Sequence, residues 1–238
     1  KPHNAAMEPR KSPSDERSYR CFVLENKLEV LVISDPTTDL ASASMDVRCG
    51  SLWNPPDLGG LAHFLEHMLF LGTEKYPQEG SYQEFCLQHG GSSNAYTSQE
   101  DTNYYFEVAA EHLDNALDRF AQFFIAPLFT ESATQREMNA VNSEYENNKT
   151  DDGWRLFGFD QSISNPNHRF HNFSIGNLKS LKDLPKERNI DVRQQLLNFY
   201  DAYYSSNVMK LVMLGRESLD NLEAMARKHF STIKNKNL

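Results

Sequence analysis

The chain has 238 residues, 39% hydrophobic and 24% charged, so it can bury a sizeable core and is not a disordered polar tract. Its formal net charge of −9 argues against a nucleic-acid or anionic-membrane surface, which needs clustered Lys and Arg. No apolar run nears the roughly 18 residues of a membrane helix; Leu211-Val212-Met213-Leu214 is typical of the longest.

Residues 1–18 are polar and proline-bearing, without apolar periodicity, and read as a leader or linker before a single unit over 19–238. Cys21 to Leu24 and Leu28 to Ile33 read as two strands around the turn Glu25-Asn26-Lys27, and Asp35-Pro36 stops the second. Ala43, Met45, Val47 and Cys49 alternate with polar residues, the period of a half-buried strand. After the loop Asn54-Pro55-Pro56-Asp57, a mostly apolar helix is predicted over Leu58 to Leu71, with Asp57 as its cap. A second helix, Tyr82 to Gln88, ends at Gly90-Gly91. Ser92 to Thr97 and Thr102 to Val108 read as strands joined by residues 98–101. Leu113, Ala116, Leu117, Phe120 and Phe124 follow helical spacing up to Pro127. A long polar helix is predicted over Ser132 to Asn148, and residues 164–187 read as loop-rich. Asp191 and Gln194 form a capping box for a helix through Tyr203. Val208 to Leu214 is a buried strand, and Ser218 opens a last helix to about Phe230. Strands and helices mix without strict βαβ alternation. That favours an α+β fold, with helices on one face of a mixed, largely antiparallel sheet.

The segment that carries chemistry is His63-Phe64-Leu65-Glu66-His67. Histidines four apart on a helix project from one face, where two imidazoles can reach one ion with bonds of about 2.0–2.1 Å. Glu66 flanks that site, where a base for a metal-bound water would sit. A zinc hydrolase needs a third protein ligand and one open position. Glu137 and Glu144, two turns apart on the predicted 132–148 helix, are candidates, but Glu131 and Glu146 lie close by and spacing alone does not choose. His89, His112, His168, His171 and His229 show no ligand spacing and read as surface histidines. Trp154 and Phe157 read as core.

Gly59-Gly60-Leu61-Ala62-His63-Phe64-Leu65-Glu66-His67-Met68-Leu69-Phe70-Leu71-Gly72-Thr73 resembles the inverted-zincin peptidases of the pitrilysin family, whose signature is HxxEH. The resemblance continues through Gly90 to Thr97, Asn103 to Phe106, Ala116 to Phe124, Glu137 to Glu144, Trp154 to Phe157 and Tyr203 to Asn207, and so spans nearly everything after residue 18. It implies the metallohydrolase fold of the LuxS and mitochondrial-processing-peptidase type and a Zn2+ cofactor. It also implies zinc ligands His63, His67 and Glu144, general base Glu66, and Glu137 as the carboxylate orienting a ligand histidine. The strand Ser92 to Thr97 is similar to the family's edge strand, which takes extended peptide substrate as an added strand. Asn94 and Ala95 match positions that contact substrate backbone; Tyr96 and Phe70 match pocket-lining aromatics.

The family's longer members are built from four related αβ domains, and this chain resembles the first. The resemblance therefore implies a zinc endopeptidase domain with weak or no activity alone, completed by the remaining domains of a parent enzyme. Two other readings share the site: a presequence-processing peptidase subunit, and a peptide-binding domain that never turns over. Three dispersed cysteines, Cys21, Cys49 and Cys86, without CxxC spacing or a visible secretory signal, fit free thiols in a reducing, cytoplasmic compartment. Mitochondrial or peroxisomal delivery and association with further copies of the chain stay open.

Overall fold

The computed structural model describes residues 9–238. Six strands form one sheet: β1 (Ser18–Val23), β2 (Glu29–Ser34), β3 (Leu40–Val47), β4 (Ser92–Thr97), β5 (Thr102–Ala109) and β6 (Met209–Gly215). Their order is β1-β2-β6-β3-β5-β4, with β2–β6 parallel and the other pairings antiparallel. The alternation read in the sequence sets the two faces of this sheet. Ala41, Ala43, Met45 and Val47 of β3, Tyr104, Phe106 and Val108 of β5, and Met209, Leu211 and Met213 of β6 are buried on one face. The other face carries Ser42, Ser44 and Asp46, half-buried, and Tyr105, Glu107, Lys210 and Val212, exposed.

Eight helices among the described residues accompany the sheet, and several of them pack on its buried face. They are α1 (Leu61–Leu69), α2 (Ser81–Gln88), α3 (Leu113–Ile125), α4 (Glu131–Asn148), α5 (Asp152–Ile163), α6 (Leu184–Glu187), α7 (Val192–Tyr203) and α8 (Leu219–Phe230). The side-chain oxygen of the residue just before the helix caps four of them: Thr130 for α4, Asp151 for α5, Asp191 for α7 and Ser218 for α8. The α+β reading with a largely antiparallel sheet is thus the observed architecture.

Several expectations change at the residue level. Residues 1–8 of the expected leader lie outside the described residues; 9–17 hold no helix or strand, and Ser18 already belongs to β1. The helix expected from Leu58 starts only at Leu61, because the chain passes through Gly60 in the left-handed region (φ +93°). Asp57 does not cap it but pairs with Arg188. The buried Asn54 caps it instead, its Oδ1 accepting the Ala62 N–H at 2.8 Å. Helix α5 went unread because Trp154, Leu156, Phe157, Phe159 and Ile163 leave no single apolar stripe. Trp154 is 42% exposed rather than core. His229 is buried rather than at the surface, since Asp114 supplies a partner for its Nε2 at 2.7 Å. No helix among the described residues is long and apolar enough to cross a membrane, and Cys21, Cys49 and Cys86 are all free.

Candidate metal centre

Helix α1 is held by its apolar side. Leu61, Phe64, Leu65 and Met68 are fully buried, and at about 1.5–3 kcal/mol each they offset the cost of placing imidazoles and a carboxylate on a half-buried helix. That packing turns His63 and His67 toward α4, whose own buried residues Met138 and Val141 set its rotation. Glu137 and Glu144, seven apart on α4, both reach the histidines.

Three donor atoms converge. His63 Nε2 and His67 Nε2 are 3.2 Å apart, and each lies 3.4 Å from Glu144 Oε2. These three residues form the one His/Cys/Asp/Glu group able to hold a metal among the described residues. Donors placed tetrahedrally around zinc at about 2.0–2.1 Å stand about 3.3 Å from one another. The observed triangle has that size, so the donor set fits the ion without rearrangement.

The outer nitrogens of both rings are also fixed. His63 Nδ1–H donates to the Ile175 carbonyl, and His67 Nδ1–H donates to Glu137 Oε1, each at 2.7 Å. Each bond directs the Nε2 lone pair to the shared point, the usual arrangement around metal-binding histidines. The Ile175 carbonyl is delivered by a tight backbone crossing: Gly60 and Gly176 both have φ near +90°, and a Cβ on Gly60 would overlap the Gly176 backbone.

Electrostatics favour a cation at this point. Burial alone would lower the His67 pKa, but its hydrogen bonds to Glu137 and Glu144 raise it to about 9. The hydrogen bonds of His63 and His67 hold the Glu144 carboxyl well below the usual range. His67 sits in the last turn of α1, where the helix dipole also favours positive charge. Glu66 differs from both carboxylates: it is 7% exposed, and burial pushes its pKa up. Its Oε2 accepts a 2.6 Å hydrogen bond from the Thr97 hydroxyl.

These groups open into a cavity of about 1030 Å³, bordered by the edge strand β4, by α5 and by the Ser174–Ile175 loop. Each expected site residue borders it. His63, His67, Glu144, Glu66 and Glu137 are brought together. Asn94 is exposed and Ala95 half-buried on the outermost strand. Phe70 borders the cavity and also packs among Tyr82, Tyr104 and Phe123, with ring centroids 5.2–6.2 Å away. Tyr96 also borders the cavity; the register pairs it with Asn103, so its half-exposed side chain starts from the open face of the sheet. Trp154 and Phe157, assigned to the core on sequence grounds, border the cavity instead. Thr97, Ile175 and Asn54 were missed: a backbone carbonyl, a strand-end hydroxyl and a distant cap carry no spacing signal.

The His-His-Glu triangle lies on two packed helices, beside an edge strand and a buried glutamate, and is a donor set able to hold a metal ion. The chain belongs to peptidase family M16: residues 29–167 match the family described as Insulinase (Peptidase family M16), and residues 191–237 match the Peptidase M16 inactive domain. It is 57% identical to the insulin-degrading enzyme of Homo sapiens, over 96% of this chain and 22% of that protein. It is 50% identical to the A-factor-processing enzyme of Saccharomyces cerevisiae, over 93% of this chain and 22% of that protein. The crystal structure of pitrilysin superimposes with a TM-score of 0.91 at 39% identity, covering 95% of this chain and 24% of that one. The chain therefore spans about a fifth of the length of the curated relatives it matches.

Proposed function

We propose that this chain is the zinc-binding catalytic domain of an insulysin-like endopeptidase. The observation that carries the reading is the 3.2–3.4 Å triangle of His63 Nε2, His67 Nε2 and Glu144 Oε2. Zinc bound there would activate a water and polarise the scissile carbonyl. Glu66 takes the proton of that water at its carboxylate and returns a proton to the departing amine. A raised pKa suits both halves of that task, since a group poised nearer neutrality both accepts and donates. Glu137 holds His67 in place as the charge at the site changes.

The substrate is an extended peptide added as a strand along β4. Two features support this. Strand β4 is the outermost of the sheet, and the Ala95 N–H is taken by the Asn94 side chain at 2.9 Å rather than by β5. Ala95 and its pair Tyr104 occupy a position of the antiparallel ladder that leaves the Ala95 backbone groups facing the open edge. Asn94 releases that amide to the incoming peptide. Trp154, Phe157 and Phe70 supply apolar surface for substrate side chains. The relatives' further length is read as domains that close the cavity, so the isolated domain builds the metal site but turns over weakly or not at all. The three free thiols suit a reducing, cytoplasmic compartment.

The deciding experiment is elemental mass spectrometry of the purified protein and of Glu144→Gln. Near-stoichiometric zinc that falls sharply in the variant is expected. No zinc in either protein after incubation with excess ion would overturn the reading.

A further inference from the structure

The structure assigns a role to Thr97 that rests on the peptidase reading: it is the positioning residue for Glu66. Its hydroxyl donates to Glu66 Oε2 at 2.6 Å, which makes it the shortest hydrogen bond at the site. Among the described residues Glu66 Oε1 takes no hydrogen bond, and Glu66 borders the cavity. One oxygen is thus pinned and the other left for a proton from water.

The direction of the Thr97 proton follows from its surroundings. Thr97 pairs with Thr102 across β4 and β5, with the two hydroxyls 3.4 Å apart. The Thr102 proton is committed to the Cys49 carbonyl at 2.8 Å, in a fully buried position. Glu66 is therefore the acceptor left to Thr97. A β-branched side chain in a strand has few χ1 options, so the hydroxyl is presented rigidly. A long glutamate without it would be free to turn.

Thr97 is also the last residue of β4, the strand proposed to receive the peptide. Its backbone lies on the substrate edge and its side chain on the base. The geometry of strand addition and the pose of Glu66 thus pass through one residue.

Two substitutions separate this role from plain packing. Thr97→Val keeps the shape and the branch and removes the hydroxyl; Thr97→Ser does the reverse. Placed in the full-length enzyme, Thr97→Val is predicted by positioning to lower kcat for a quenched fluorescent peptide roughly 10- to 100-fold with KM within twofold. Zinc content and Tm should stay near wild type, and Thr97→Ser should remain within about threefold. A packing role predicts the opposite order. Crystal structures of both zinc-loaded variants give a second readout that needs no turnover: the Glu66 carboxylate should leave its present place in Thr97→Val and keep it in Thr97→Ser. Wild-type turnover in Thr97→Val, or an unmoved Glu66 in its crystal structure, would overturn the inference. Failure of the wild-type protein to bind zinc would sink the peptidase reading instead, and the crystallographic comparison would still decide the Thr97 contact.

Discussion

Three glutamates around one pair of imidazoles carry three different charges of duty, and their surroundings make the difference. Glu144 and Glu137 each face a histidine nitrogen, at 3.4 and 2.7 Å, and the two histidines hold the Glu144 carboxyl well below its usual range. Glu66 has only a hydroxyl on Oε2 and a largely buried setting, which moves its pKa upward. A carboxyl so placed is suited to moving a proton rather than holding an ion. Replacing it should therefore spare the metal. In the zinc-loaded full-length enzyme, Glu66→Gln is expected to retain zinc content within experimental error and to lower kcat by at least about 100-fold, the scale of a lost general base. Metal analysis beside a steady-state peptide assay checks both halves. Activity within tenfold of wild type would remove Glu66 from the base role.

Among elements, the junction of α3 and α8 is sensitive to acid. Asp114 and Asp118 lie one turn apart on α3, on either side of the buried His229 of α8, 2.7 and 3.6 Å from its ring nitrogens. Lys228 also bonds Asp114, while Lys75 and Tyr76 bond Asp118. Burial raises both carboxyl pKa values, but the hydrogen bonds outweigh it and leave both below the ordinary value. A depressed carboxyl adds stability that is present above its unfolded pKa of about 3.9 and is lost as pH falls through the folded value. The melting temperature should fall as pH drops below about 4. In Asp118→Asn, Tm should be lower at pH 7 and its acid decline shallower. Melting curves by circular dichroism between pH 2 and 7 test this, and parallel declines in the two proteins would remove Asp118 from the effect.

For the whole molecule, the position of β6 decides how the chain unfolds. The family matches divide the chain into residues 29–167 and 191–237, yet the second segment supplies β6, which lies between β2 and β3 in the middle of the sheet. Helix α8, from the same segment, packs on β1, β2 and α3. Neither segment can bury its own apolar face without the other, and one continuous core runs through both. Unfolding in urea should thus be a single transition, with tryptophan fluorescence and far-ultraviolet circular dichroism coincident. Trp154 borders the cavity and Trp53 packs against the core, while the helical signal is spread over the chain, so the two probes report different regions. Separate midpoints would show that the two segments are independent.

Much of this protein was legible in its sequence. Period-two alternation placed the central strands, and helical spacing with Asp191 and Ser218 caps placed α3, α7 and α8, because these signals are local consequences of burying one face. The HxxEH spacing was equally local: two histidines four apart must share a helix face. The third ligand was not. Glu131, Glu137, Glu144 and Glu146 are equivalent along an isolated helix, and only the docking of α4 on α1 sets Glu144 on the two Nε2 atoms and Glu137 on the far side of His67. Tertiary structure alone likewise brought Trp154 to the cavity, and drew the Ile175 carbonyl and the Thr97 hydroxyl in from segments 112 and 31 residues distant from the groups they hold. Sequence determines which faces must be buried. Which buried faces meet, and so which polar groups come within bonding distance, is decided by the packing of all of them at once.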